Sequence, residues 1–110
     1  MSDYKRLIFE KSFVNGEWAS ESTTKIEVRN PADLSVISHV ANDDRPLVRK
    51  AIEAAHSAFH TWKKTSAKER SALLLKWYDL IHEHKAEIAT IMTLESGKPY
   101  AESLGEIDYG

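Results

Sequence analysis

The chain has 110 residues, 42% hydrophobic and 29% charged, the balance of one modest soluble globular unit. Its 15 basic and 17 acidic side chains leave a formal charge of −2, which excludes a broad attraction for nucleic acid or anionic lipid. There is no cysteine, which removes disulfides, thiolate metal sites and thiol nucleophiles together.

The basic doublets Lys5-Arg6 and Lys63-Lys64 are too few to follow a phosphate backbone. The charged stretch from Met1 to Glu10 has no apolar run of signal-peptide length, and Ala72 to Leu75 is far short of a membrane span. The expected compartment is the cytoplasm. A chain of this size buries roughly 60–70% of its unfolded surface, close to the margin for folding alone.

Residues 1–10 show no period and read as a loose leader; short strands are expected over 12–40 and helices over 43–110. Asn15-Gly16 tolerates positive φ at both central positions of a two-residue turn. Flanked by Phe13-Val14 and Glu17-Trp18, it predicts a hairpin. Glu21 to Thr24 is polar and turn-like. Ile26 and Val28 then alternate with Lys25, Glu27 and Arg29, a half-buried strand. Asn30-Pro31 closes it, because proline disfavours helix at the residue before it. Ser35 to Val40 predicts a further strand, with Val36 and Val40 on one face.

From Asn42 the period becomes helical. Asp43 and Asp44 are good N-terminal caps, and Pro46 fits the first turn, where its missing N–H costs little. Val48, Ala51, Ile52, Ala55, Ala58, Phe59 and Trp62 form one apolar stripe. Ser66-Ala67-Lys68-Glu69 is a capping box and starts the second helix. Ala72-Leu73, Lys76-Trp77, Leu80-Ile81 and His84 trace its face, which Leu74, Leu75 and Tyr78 widen. A third helix is expected from Lys85 to Ser96, closed by Gly97 in the left-handed conformation with Pro99 beyond. A fourth starts near Pro99 and should still be running at Gly110, a cut through a structure. Such broad faces make an incomplete layer unless something covers them.

Candidate chemistry is sparse. His56 and His60 share a helix face at the spacing of two metal ligands, but no third ligand is placed beside them. His82 and His84 point to different faces and read as polar helix-end residues. Gly16, Gly97, Gly105 and Gly110 match no phosphate-cradling loop. Trp18, Trp62 and Trp77 could stack a ligand, but Trp62 and Trp77 fall at core spacings. Glu95 and Lys98 lie in a stretch that a helix end, glycine cap and proline restart explain without catalysis. No catalytic, cofactor-binding or metal-ligating residue is therefore assigned.

Several stretches, in order, resemble the start of the aldehyde dehydrogenase superfamily. They are Phe13-Val14-Asn15-Gly16-Glu17-Trp18, Asn30-Pro31-Ala32, the Ala54-Ala55 to Trp62 helix, Arg70, Leu94-Glu95-Ser96-Gly97-Lys98-Pro99, and Ala101-Glu102 with Gly105-Glu106-Ile107. The last of these is most similar to the bacterial succinate-semialdehyde dehydrogenases. One departure stands out. Where the family often has Thr-Gly after Asn-Pro-Ala, this chain has Asp33-Leu34, so that turn must close differently or shift register.

The resemblance implies an α/β enzyme. Residues 1–110 would be the incomplete, mostly helical N-terminal part of its nucleotide-binding domain. The implied chemistry uses a cysteine thiolate that attacks the aldehyde, hydride transfer to NAD or NADP, and water activated by a glutamate. An asparagine side chain and a backbone N–H would hold the oxyanion. None of those residues falls in the matching stretch, so this segment alone is expected to be inactive and to bind no nucleotide. Some members hold a monovalent cation near the position of Glu106. The implied partners are the rest of the enzyme chain and further copies in a homo-oligomer, with no nucleic acid and no membrane. The alternative is a stand-alone helical binding or structural module that packs its broad apolar face on a partner.

Overall fold

The computed structural model describes residues 3–20 and 22–110. Met1 and Ser2 of the expected leader, and Glu21 of the polar turn, lie outside the described residues. Two antiparallel hairpins precede four helices.

Strands β1 (Ser12–Val14) and β2 (Glu17–Ala19) pair with Phe13 opposite Trp18. The turn between them has φ +52° at Asn15 and +80° at Gly16, the two positive angles that Asn-Gly predicts. Strands β3 (Lys25–Arg29) and β4 (Val36–Ala41) form the second hairpin, with Ile26 opposite Val40. The register slips between Val28 and Arg29, which sets Val36 opposite Arg29. The face expected to join Val36 to Val40 therefore breaks at the slip, and Val36 stays exposed.

The departure at Asp33-Leu34 closes in an instructive way. Leu34 itself takes the left-handed conformation, φ +63°, that glycine adopts without cost. Its N–H bonds Asn30 O at 2.8 Å and its carbonyl accepts from Arg29 Nη1 at 2.7 Å. Asp33 Oδ1 accepts from the Ser35 backbone N–H and hydroxyl, which holds that carboxyl below its ordinary range.

Helix α1 (Arg45–Trp62) has Asp44 at its N-cap and proline in its first turn. Asp44 makes no side-chain cap bond, contrary to the expectation. Asp43 is used elsewhere, accepting from Ser12 Oγ at 2.6 Å and Ser20 Oγ at 2.8 Å, so it ties the first hairpin to the start of α1. Helix α2 (Ala67–Glu83) begins on the expected capping box. Ser66 Oγ accepts from Glu69 N at 3.2 Å, and Glu69 Oε2 accepts from Ser66 N at 2.7 Å. Helix α3 (Lys85–Ser96) follows after His84 alone, and Gly97, φ +74°, ends it. Helix α4 (Tyr100–Tyr109) runs to the last residue but one.

The best-packed pair is α3 with α4, where Ala89 and Ser103 are fully buried. Of the described apolar side chains, only Leu47 and Ala89 are buried. Trp62 and Trp77, expected in a core, are 46% and 63% exposed. Their helical spacing marked a face that wants covering, but nothing in these residues lies over it. The radius of gyration is 16.8 Å, against about 13 Å for a compact domain of this length.

The leader is not loose over its described part. Tyr4–Leu7 forms a 3-10 turn against α3. Arg6 Nη2 donates to Glu87 Oε1 at 2.9 Å and lies 3.1 Å from His84 Nδ1. A two-acceptor target explains why one arginine can anchor a segment without internal period.

Candidate functional site

Two of the family-like motifs, Asn30-Pro31 and Gly97-Lys98-Pro99, lie far apart in sequence and meet at the junction of α3 and α4. Gly97 sits at the α3 C-terminus with its backbone N–H on Thr93 O at 2.9 Å. A Cβ built there would lie 3.0 Å from Pro31 Cγ. The Asn30-Pro31 turn of the second hairpin thus packs directly on the glycine that turns the chain toward α4. Inside the junction, the Thr93 and Ser103 hydroxyls meet at 2.9 Å, which satisfies the buried Ser103. On its surface, the Lys98 ammonium is bonded to the Glu106 carboxylate and Lys85 to Asp108. Glu106 is thereby matched by a cation of this chain.

Elsewhere the residues singled out from sequence have structural partners. The His56 and His60 rings meet edge-on at 5.1 Å on α1. Among the described residues no group of three or more metal-ligating side chains gathers. His82 lies 4.2 Å from the Tyr78 ring, and His84 belongs to the Arg6 anchor and not to the α2 face. Trp18 stacks flat on Phe9 at 4.1 Å and meets Phe13 edge-on. Arg70 bonds the carbonyl of Thr65 and so closes the link from α1 to α2. Glu95 is exposed on the last turn of α3.

Electrostatic shifts follow the same pattern. The Arg6 guanidinium holds the Glu87 carboxyl below the ordinary range, as Lys25 does for Glu10 and the Ser66 backbone N–H does for Glu69. Each is a carboxylate held ionised by a partner, which anchors structure and is the reverse of a poised acid.

Sequence reasoning missed Arg6 and Asp43. Their partners lie between 21 and 81 residues away, so no local pattern marks them.

The missing Cβ of Gly97 faces Pro31, so that turn is packed by its own chain, while Gly16 and Gly105 face open space. The chain holds no thiol to attack a carbonyl. What the site does is fix the path of the backbone between α3 and α4.

The aldehyde dehydrogenase family model matches residues 18–110. The chain belongs to the aldehyde dehydrogenase family. It is 48% identical to the mitochondrial succinate-semialdehyde dehydrogenase of Rattus norvegicus, over 94% of this chain and 20% of that protein. It is 42% identical to the glutarate-semialdehyde dehydrogenase of Pseudomonas putida, over 94% of this chain and 22% of that protein. A crystal structure of an NADP-dependent enzyme from Escherichia coli superposes with a TM-score of 0.92 at 39% identity. That match covers 96% of this chain and 22% of the E. coli chain. This member thus spans about a fifth of the length of its relatives. Among its described residues no helix is long and apolar enough to cross a membrane.

Proposed function

We propose that these residues are the N-terminal part of the nucleotide-binding domain of a longer NAD(P)-dependent dehydrogenase. Its reaction is the oxidation of succinate semialdehyde, or a similar small aldehyde, to the acid. The observation that carries this reading is the high identity to semialdehyde dehydrogenases over nearly the whole chain. The role of residues 1–110 is then scaffolding. The α3–α4 junction sets the backbone path, and the reacting groups come from the rest of the enzyme chain. The compartment that suits the charged, span-free sequence is the cytoplasm.

The test is an assay of the protein encoded by the whole reading frame against semialdehydes of graded length, with NAD and NADP in turn. Turnover is expected with a four- or five-carbon dicarboxylate semialdehyde. Turnover confined to aldehydes that carry no carboxylate would overturn the substrate class. The purified 110-residue chain should form no NAD(P)H with any of them, because it has no thiol.

A further inference from the structure

The sequence holds three asparagines and no glutamine, and only Asn15 is followed by glycine. Asn30 precedes Pro31, whose nitrogen has no hydrogen to give up, and Asn30 Oδ1 accepts from Ala32 N at 2.9 Å. Asn42 precedes Asp43, whose side chain crowds the nitrogen between them.

The structure sets Asn15 further apart. Asn15 and Gly16 are both exposed. A Cβ built on Gly16 would meet nothing within 4 Å, so that side of the turn is open. Among the described residues, nothing bonds the Asn15 side-chain amide. The flanking strands β1 and β2 have three residues each. A ladder that short is held by few hydrogen bonds and opens locally without unfolding the rest. Opening releases Asn15 from φ +52° and lets the Gly16 nitrogen swing toward the Asn15 side-chain carbonyl carbon.

We propose that Asn15 is a site of spontaneous covalent modification, deamidating in the native protein through a cyclic imide with Gly16. The Gly16 nitrogen attacks Asn15 Cγ and gives up its proton. The N–Cγ bond forms, the Cγ–Nδ2 bond breaks, and ammonia leaves. Water then opens the imide at either carbonyl, which yields aspartate or isoaspartate; nothing is oxidised or reduced. Apart from water, every reacting atom lies in two adjacent residues. The step therefore needs no partner and does not rest on the dehydrogenase reading. The isoaspartyl product routes the main chain through Cβ and so lengthens the turn. A two-residue turn fixes the register of its hairpin, so Val14 no longer meets Glu17 and Phe13 no longer meets Trp18.

The test uses the protein encoded by the whole reading frame, kept folded in mildly alkaline buffer. Peptides are mapped by mass spectrometry, and an isoaspartyl methyltransferase with a labelled methyl donor marks the isoaspartyl form. Residue 15 should convert faster than Asn42, on the order of tenfold or more, because glycine has no Cβ to crowd the attacking nitrogen. Amides of Ser12–Ala19 should exchange faster in the converted fraction. Asn15→Gly keeps a turn that accepts positive φ at both positions and removes the amide, so this turn should take no label. No conversion at residue 15, conversion no faster than at Asn42, or conversion only in denatured protein would each overturn the proposal. So would labelling of the turn in Asn15→Gly equal to that of the unaltered protein. Unchanged exchange of the Ser12–Ala19 amides after conversion would overturn the effect on the hairpin.

Discussion

Helices α1 and α3 obey the same local rules and end in opposite circumstances. The apolar stripe of α1 is the more regular of the two, yet Val48, Ile52 and Phe59 are 51%, 65% and 55% exposed, while Ala89 of α3 is fully buried. The difference lies in what each helix meets. Small residues, Ala89 and Ser103, let α3 and α4 approach closely, and the Gly97 turn packed on Pro31 fixes their angle. Among the described residues no comparable partner packs along α1, which touches the first hairpin at its start. Periodicity tells which face wants covering; contact between distant segments decides whether it is covered.

Substitutions should separate the two regions. Ala89→Leu overpacks the α3–α4 contact and is expected to cost about 3 kcal/mol, read from the urea midpoint. The same enlargement at Ala55, on α1, should cost almost nothing, and equal losses at both sites would erase the contrast. Gly97→Ala places a side chain at φ +74° and a Cβ 3.0 Å from Pro31 Cγ. It should lose about 2 kcal/mol, seen as a lower thermal midpoint. Ser66→Ala removes the capping box of α2 and should cost about 1 kcal/mol, less where α2 frays independently of α3. Leu34→Gly relieves the left-handed strain in the second hairpin. It should gain about 0.5 kcal/mol, the strain released less the added freedom of the unfolded glycine.

The smallest effect is one of pH. The Glu87 carboxyl is lowered from 4.5 in the folded chain, by Arg6 first. Its contribution to docking the leader is complete above pH 4.5 and is lost as pH falls through the lowered value. Nuclear magnetic resonance of the Tyr4–Leu7 amides should show release on that acid side, and Arg6→Ala should abolish the transition. Release on raising the pH instead would contradict the assignment.

Much of the local structure was legible. Asn15-Gly16 encodes its turn through two residues that accept positive φ, and Gly97 encodes a helix end in the same way. The capping box works because both partners lie within four residues of each other. The aldehyde dehydrogenase resemblance was legible from an ordered set of such local signals. What local patterns did not disclose depends on distant contact. Arg6 finds Glu87, Asp43 finds Ser12 and Ser20, and Pro31 finds Gly97 only after folding. Leu34 in the left-handed region is a case where the residue bears the strain of its turn. Trp62 and Trp77 carried a core-like spacing without a core, because spacing describes one helix and burial needs two.

Amide hydrogen exchange across the four helices of the 110-residue chain addresses the contrast most directly. Protection should be greatest in α3 around Ala89 and in the facing turns of α4, and least in α1. Uniform protection of all four helices would contradict the contrast, among the described residues, between the packed α3–α4 pair and the exposed face of α1.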